Sequence, residues 1–263
     1  MFDKTERYRY EKNQLIEVIC QLRFPTILRI GAEEPARFQD AVRGDFPQYS
    51  VRQDQPAPRI EGAGTPNPVL EPAKPVTNYS FLSADGAWRL NLTQGFIALT
   101  SQRYEGWESF ARMLDRPLAK FIELYAPAYF ERVGLRYLNA FSRRQLGLEG
   151  TPWSELIAPA YLGLLGEEDV REEQTTRATQ DVEMQMAGGC RLKAHMGPGL
   201  VRRNGEPDDK EVRYILDLDL SMSGRVPVGH AAPAMETLHM NSTSVFRSAL
   251  TDALHDAMEP EKL

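Results

Sequence analysis

Two arginines and two aspartates lie at strand spacing and are the residues of this chain most able to bind a ligand. Arg132 and Arg136 flank Gly134 in an alternating segment, so the three residues point to one face of a strand. Guanidinium groups bind carboxylates and phosphates through paired hydrogen bonds, and the glycine would let a ligand come close to the backbone. Asp217 and Asp219 share one face of a later strand, roughly 6.6–7 Å apart along the chain. Such a pair could hold a divalent ion or divide acid and base roles.

Other charged side chains follow the same alternation and extend this set into a polar sheet face. The candidate ligand-binding residues are Arg23, Arg89, Arg132, Arg136, Arg213, Asp217 and Asp219. A plainer interpretation is that the face is solvated and carries cross-strand ion pairs, as one face of an antiparallel sheet commonly does. Alternation alone favours this plainer interpretation because every two-layer sheet shows it. Arg213 could equally pair with the aspartates, and the sequence supplies no further oxygen ligands for a metal ion.

No sequence motif assigns a catalytic residue, a metal site or a cofactor. The chain contains no phosphate-binding GxxxxGK loop, no GxGxxG or GxSxG segment and no HExxH helix. The four histidines show no zinc-binding spacing with Cys20 or Cys190. One face of the last predicted helix carries four polar residues and is interpreted as solvated: Asp252, His255, Asp256 and Glu259. We therefore predict no catalytic residues, no metal and no cofactor.

The elements that position these residues repeat in a doubled order. A strand, a helix, a three-strand meander and a second helix follow one another across about residues 15–125 and again across about residues 130–258. This order predicts an α+β fold in which duplicated β-α-β-β-β-α halves form one antiparallel sheet with helices on one face. The order is similar to that of TATA-box-binding-protein-like saddles and helix-grip folds. We expect residues 1–263 to form a single globular unit, with a proline-rich arm at residues 54–75.

The alternation of apolar and polar side chains along the strands predicts the register of both meanders. A two-residue type I′ loop at Asp85-Gly86 sets the first register. A three-residue loop at residues 187–189, with a glycine in the left-handed conformation, pairs Met184 with Leu192 in the second. Helical periodicity predicts helices at residues 33–46, 107–125 and 234–258 and a helix or helical loop at residues 153–165, which contains Pro159. Pro117 should kink or split the helix at residues 107–125.

Composition limits the class of protein. The chain has 263 residues, 42% apolar and 26% charged, with a formal net charge of −6; these values are typical of a globular protein. The acidic balance argues against a general nucleic-acid binder. No apolar run approaches the ~20 residues of a membrane span, and residues 1–14 lack the apolar core of a signal peptide. Two cysteines favour buried thiols in a reducing compartment, so we expect a cytoplasmic protein without membrane contact.

Three strand segments resemble those of a known protein family. Residues 15–25, LIEVICQLRFP, and residues 133–139, VGLRYLN, are similar to segments of a sporadically distributed family of bacterial and archaeal proteins of roughly 260 residues and unknown function. The later segment ILDLDL, residues 215–220, also fits that family. The resemblance implies a chain length and a patchy distribution, which hints at mobile-element or phage-defence neighbourhoods. It implies no chemistry.

Three classes of function agree with these patterns. The first is a non-catalytic binding or regulatory protein that presents the polar sheet face to a small anionic ligand or a protein partner. The second is a metal-dependent enzyme acting on a nucleotide or another anionic small molecule, with Arg132 and Arg136 orienting the substrate. The third is a nucleic-acid-binding protein in a phage-defence or mobile-element context. A homodimer through an exposed sheet edge or the arm is also expected.

Overall fold

The computed structural model describes residues 6–55, 59–61, 69–71, 74–202 and 209–263. The strands are β1 (Tyr8–Tyr10), β2 (Leu15–Arg23), β3 (Gln48–Asp54), β4 (Arg59–Glu61), β5 (Val69–Glu71), β6 (Val76–Leu82), β7 (Trp88–Leu92), β8 (Phe96–Ser101), β9 (Phe130–Phe141), β10 (Gln180–Gln185), β11 (Arg191–Leu200), β12 (Val212–Val226) and β13 (Pro260–Lys262). The α-helices are α1 (Leu28–Ala32), α2 (Ala36–Val42), α3 (Trp107–Tyr125), α4 (Arg143–Leu146), α5 (Trp153–Leu156), α6 (Ala231–Ala249) and α7 (Asp252–Ala257).

A nine-stranded antiparallel sheet forms the framework of the protein. Its strand order is β10-β11-β12-β9-β2-β8-β7-β6-β3, so β9 and β2 pair at the centre. Helix α6 packs on β9 and β12, while α3 packs on β8 and α2. Val18, Cys20 and Leu22 of β2 are fully buried, whereas the side chains between them are partly exposed. The predicted α+β fold with a large antiparallel sheet is confirmed, and two-stranded ribbons β1-β13 and β4-β5 accompany it.

The predicted registers of both meanders are confirmed, although one turn differs. Met184 lies opposite Leu192, and Gly188 and Gly189 in the connecting loop have φ of 70° and 73°. In the first meander only Gly86 of the predicted type I′ pair has a positive φ, 71°. The carboxylate of Asp85 accepts hydrogen bonds from the Ser83 hydroxyl at 2.6 Å and from the Ala87 N–H at 3.0 Å. These bonds hold Asp85 in a negative-φ turn, so the type I′ prediction is wrong.

Two predicted helices differ in their bounds, and the predicted helix or helical loop at residues 153–165 is a helical loop made of the short α5 and two 3₁₀ turns. The segment at residues 33–46 is helical only in α2, and the shorter α1 precedes it. The long C-terminal helix is interrupted at Leu250, whose extended backbone bridges to Ile157. Because this break turns α7, His255 is buried rather than solvated. Helix α3 runs unbroken through Pro117, so that proline does not split it.

Short strands at the sheet edge and in the arm were not predicted. All residues of β3 but Asp54 are exposed, and only Tyr49 and Val51 alternate with polar residues, a pattern too short to predict a strand. Within the proline-rich arm, β4 and β5 pair as an antiparallel hairpin. The remaining arm segments at residues 56–58, 62–68 and 72–73 lie outside the described residues.

The cysteines agree with the prediction of buried thiols. Cys20 and Cys190 are both free and buried. Burial raises the pKa of the Cys20 thiol to about 12, which removes its nucleophilic thiolate at neutral pH. In the described part of the chain, none of the helices has the length and apolar character needed to cross a membrane.

Candidate functional site

The register places five of the predicted ligand-binding residues on the central strands. Arg136 lies directly opposite Asp219 of β12, and Arg132 lies opposite Arg23 of β2. Asp217 lies two residues from Asp219 on β12, so its side chain points to the same face. These five side chains therefore share one sheet face. Two further predicted residues lie on this face but away from its centre: Arg89 on β7 and Arg213 near the start of β12.

The arginines and aspartates of the polar sheet face bind one another. Arg136 donates two hydrogen bonds to Asp217, at 2.7 and 2.5 Å, and Arg132 donates one to Asp219 at 2.5 Å. The Arg132 guanidinium also lies over Gly134, where a Cβ atom would stand only 2.0 Å from its Nη1. The glycine therefore makes room for the Arg132 side chain.

The remaining candidates of this face have other surroundings. Arg213 pairs with Asp209 at 2.8 Å and with Glu211 at 3.3 Å, away from the two aspartates. Arg23 and Arg89 form no ion pair with any residue that the structure describes. Across the described ranges, no three His, Cys, Asp or Glu side chains cluster as they would to hold a metal ion.

We expect Arg136→Ala to lower the free energy of unfolding by about 1–2 kcal/mol. The side chain of Asp217 is only 14% exposed, so the substitution leaves a largely buried carboxylate without its two charged hydrogen bonds. The side chain of Arg136 is itself 43% exposed, so solvent screens the ion pair and the loss of stability stays moderate. Urea denaturation measures the change, and an unchanged midpoint would contradict the pairing.

Lys193→Ala is the matched control for this measurement. Lys193 lies on the same face and pairs with Glu183 at 2.7 Å, but both side chains are about half exposed. An exposed ion pair contributes little, so the control should lose at most about 0.5 kcal/mol.

A second candidate site lies on the other, helix-covered side of the sheet. It is a cavity of about 520 Å³ between β1, the first turn of α3 and helix α6. We call it the aromatic cavity, after five of the residues that line it: Tyr104, Trp107, Tyr137, His239 and Phe246; Arg7 also lines it. Its volume falls in the range of small-molecule sites in proteins.

A histidine held between two aromatic residues forms the wall of the aromatic cavity. The imidazole of His239 stacks on the indole of Trp107, with ring centroids 4.6 Å apart and planes 8° from parallel. The Tyr137 hydroxyl lies 2.9 Å from Nδ1 of the same imidazole. The Trp107 indole N–H in turn donates to Glu236 at 2.5 Å. These contacts hold the imidazole plane in one orientation.

The second nitrogen of His239 has no hydrogen-bond partner among the described residues. His239 is only 8% exposed, and its Nε2 atom is buried without a hydrogen bond to any residue that the structure describes. Burial, together with the smaller effect of the Arg7 charge, lowers the pKa of His239 to about 4, and the Glu108 carboxylate opposes this shift. The imidazole is therefore neutral at neutral pH, with one nitrogen as an N–H donor and the other as an acceptor.

The tyrosines of the cavity remain protonated. Burial raises the pKa of Tyr137 well above its ordinary value of 10.0, and the neighbouring Tyr104 raises it further. Burial also raises the pKa of Tyr104, whose ring meets that of Tyr137 edge-on at 5.8 Å. Both hydroxyls are therefore neutral: that of Tyr137 orients His239, and neither acts as a phenolate base.

The aromatic cavity was missed by sequence reasoning. Neither Trp107 nor His239 is among the residues predicted to bind a ligand. A signal did exist, because His239 follows Leu238 on the buried side of α6 and is a polar residue in an apolar helix stripe. Its meaning depends on Tyr104 and Tyr137, which lie over a hundred positions away in sequence.

Comparisons with known proteins add no functional assignment to this geometry. No protein-family model matches the chain, and no curated protein matches it with significance.

Proposed function

We propose that this is a non-catalytic binding protein and that its ligand is a small molecule occupying the aromatic cavity. The observation that carries the proposal is the cavity of about 520 Å³ itself, whose lining holds the imidazole of His239 stacked on Trp107. The neutral imidazole is held by its neighbours before any ligand arrives, which reduces the entropy lost on binding.

The polar sheet face is a second candidate surface, for an anionic group or a protein partner. Arg23 and Arg132 are direct cross-strand neighbours, and like charges in that position repel. Asp219 neutralises Arg132, whereas Arg23 is exposed and has no acidic partner in the described part of the chain. An anion of a partner molecule bound at Arg23 would remove this imbalance.

Ligand binding by two variants distinguishes the aromatic cavity from the polar sheet face. We expect the purified protein, examined by native mass spectrometry and by thermal-shift screening of metabolites, to bind a small molecule that His239→Phe no longer binds. Phenylalanine preserves the stacking surface on Trp107 and removes both ring nitrogens. Arg136→Ala should retain the ligand, because Arg136 lies on the opposite face. The converse result, loss with Arg136→Ala and retention with His239→Phe, would assign binding to the polar sheet face.

Three broader features are proposed alongside this function. An internal duplication is supported by the strand order, because β12-β11-β10 follow outward from β9 as β8-β7-β6 follow outward from β2. A reducing, cytoplasmic location is supported by the two free, buried cysteines. Homodimerisation through a sheet edge is supported by the exposed apolar side chains of Tyr49 and Val51 on β3.

A further inference from the structure

We infer that a second copy of this chain docks on the outer edge of β3, with the two β3 strands antiparallel about a twofold axis that passes beside Ser50. The two nine-stranded sheets then form one continuous sheet, with both polar sheet faces on the same side. The inference goes beyond the binding of a small molecule, because it concerns a different surface and gives the homodimer one interface and one register.

The outer edge of β3 is an open end of the main sheet. β3 is the last strand in the sheet order, and no strand in the described part of the chain pairs with its second side. A strand in this position presents a row of unpaired backbone N–H and C=O groups to which another strand can bind. Six of the seven residues of β3 are exposed, so a docking strand finds both its backbone and its side chains accessible.

Two apolar side chains stand on this open edge. Tyr49 and Val51 are 41% and 51% exposed and lie on the helix-covered face of the sheet, opposite Phe81 and Tyr79 of β6. The ring of Tyr49 packs on that of Phe81, with centroids 5.6 Å apart, which holds its exposed side in place. Two apolar groups at alternate positions fit a strand that carries apolar groups at the same spacing.

The sequence of β3 is self-complementary about Ser50. A twofold axis at Ser50 places Tyr49 opposite the partner's Val51 and repeats this contact on the other side of the axis. Aromatic and β-branched side chains form favourable cross-strand pairs in antiparallel sheets. On the polar face the same axis places Ser50 opposite its own copy and Gln48 opposite the partner's Arg52. No charge therefore meets a like charge.

Neighbouring registers lose this match. An axis at Val51 sets Tyr49 against the partner's Gln53, and an axis at Tyr49 sets Val51 against the partner's Pro47. An axis at Arg52 sets two guanidinium groups against each other, which repel. Of these registers, the one at Ser50 pairs each exposed apolar side chain with an apolar partner.

Charge does not protect the β3 edge from pairing. Edge strands of natural proteins are often guarded by charged side chains. The one arginine of β3, Arg52, forms an ion pair with Asp54 at 2.7 Å, and Asp54 also accepts a hydrogen bond from Asn78 at 2.6 Å. The pair has no net charge and lies towards one end of the strand, so it leaves the apolar positions beside the axis open.

The opposite edge of the sheet, β10, is less suited to the same contact. Val182 and Met184 are exposed there, but Asp181 and Glu183 alternate with them. An axis at Val182 sets Asp181 against the partner's Glu183, and an axis at Glu183 sets two carboxylates against each other. These registers oppose like charges, so β3 is the favoured edge and β10 supplies the control.

Cysteine cross-linking tests the position of the axis. Cys20 and Cys190 are buried, so an introduced exposed cysteine is the reactive one. Ser50→Cys sets two thiols directly opposite each other, where Cα atoms lie about 4.5–5.5 Å apart, and a disulfide spans about 4.4–6.8 Å. We expect mild oxidation to convert most of this variant into a covalent dimer on non-reducing electrophoresis. In Arg52→Cys, the matched control, the two thiols lie roughly 13 Å apart along the strands and should not cross-link.

Sedimentation velocity tests whether this edge drives association. We expect the wild type to dimerise with a dissociation constant in the micromolar range, because one pair of strands buries a small interface. Val51→Lys should weaken the dimer about a hundredfold, since the twofold axis introduces the charge twice. Val182→Lys, the same change on β10, should leave the dissociation constant unchanged. Far-ultraviolet circular dichroism checks that both variants are folded.

Three outcomes would overturn the inference. The first is a wild type that remains monomeric at about 100 µM. The second is a dimer that Val182→Lys dissociates and Val51→Lys does not, which would assign the contact to β10. The third is equal cross-linking of Ser50→Cys and Arg52→Cys, which would show that the strands do not meet about Ser50.

Discussion

Replacing Leu135 with alanine is expected to lower the free energy of unfolding by about 3–4 kcal/mol. Leu135 lies at the centre of β9, is fully buried, and has Cys20 of β2 and Leu220 of β12 as its cross-strand neighbours. The substitution removes apolar contacts and leaves a cavity where the two halves of the sheet meet. Surrounding strands cannot collapse into that cavity without breaking their ladders of hydrogen bonds.

The same substitution at Leu138 is the matched control. Leu138 lies three positions further along β9, on the polar sheet face, and is partly exposed. Leu138→Ala should therefore cost about 1 kcal/mol or less. Equal losses for the two variants would mean that the assignment of the two sheet faces is wrong.

The course of unfolding in Leu135→Ala tests the prediction of a single globular unit. Trp107 reports on the first half of the chain and Trp153 on the second, since both are buried. If the sheet is one cooperative unit, tryptophan fluorescence and far-ultraviolet circular dichroism will give coincident transitions in urea. Two separate transitions would show that the halves unfold independently.

Lowering the pH should destabilise the protein through His239, by about 2 kcal/mol at pH 5 and about 3 kcal/mol towards pH 4. Burial lowers the pKa of this histidine from 6.5 to about 4 in the folded protein. Between these values the unfolded chain binds a proton that the folded protein rejects. The stabilisation is consequently complete above pH 6.5 and is lost as the pH falls towards 4.

A comparison with His239→Phe isolates this contribution from the carboxylates that titrate in the same range. The unfolding free energy of the wild type minus that of the variant should fall by about 2 kcal/mol between about pH 8 and about pH 5, whichever protein is the more stable. Urea denaturation of both proteins at each pH measures it. A difference that stays constant with pH would mean that His239 is not desolvated, and the buried Nε2 atom would lose its significance.

The antiparallel sheet and its registers could be predicted from the sequence because they depend on local periodicity. Alternating residues in β2 and β9 must point to opposite faces, and one face can be buried only in one register. Met184 and Leu192 were paired correctly on this basis. Strand β3 was not predicted because its alternation is limited to Tyr49 and Val51, and it lies at the exposed edge of the sheet without a buried face.

Alternation also placed the polar sheet face correctly but could not state which charges bind one another. Arg136 binds Asp217, and Arg132 binds Asp219, while Arg213 binds Asp209. These choices depend on the lateral order of the strands and on side-chain reach across them, neither of which is encoded in the period of one strand.

The sequence by itself determined which side chains leave each strand on which face, since that follows from backbone geometry and burial alone. Only the tertiary structure decided that Tyr104, Trp107, Tyr137 and His239 surround one cavity. These residues lie on a loop, a helix, a strand and another helix, and packing brings them together over long sequence separations. A cavity has no local pattern, because it is defined by the space that packed elements leave between them.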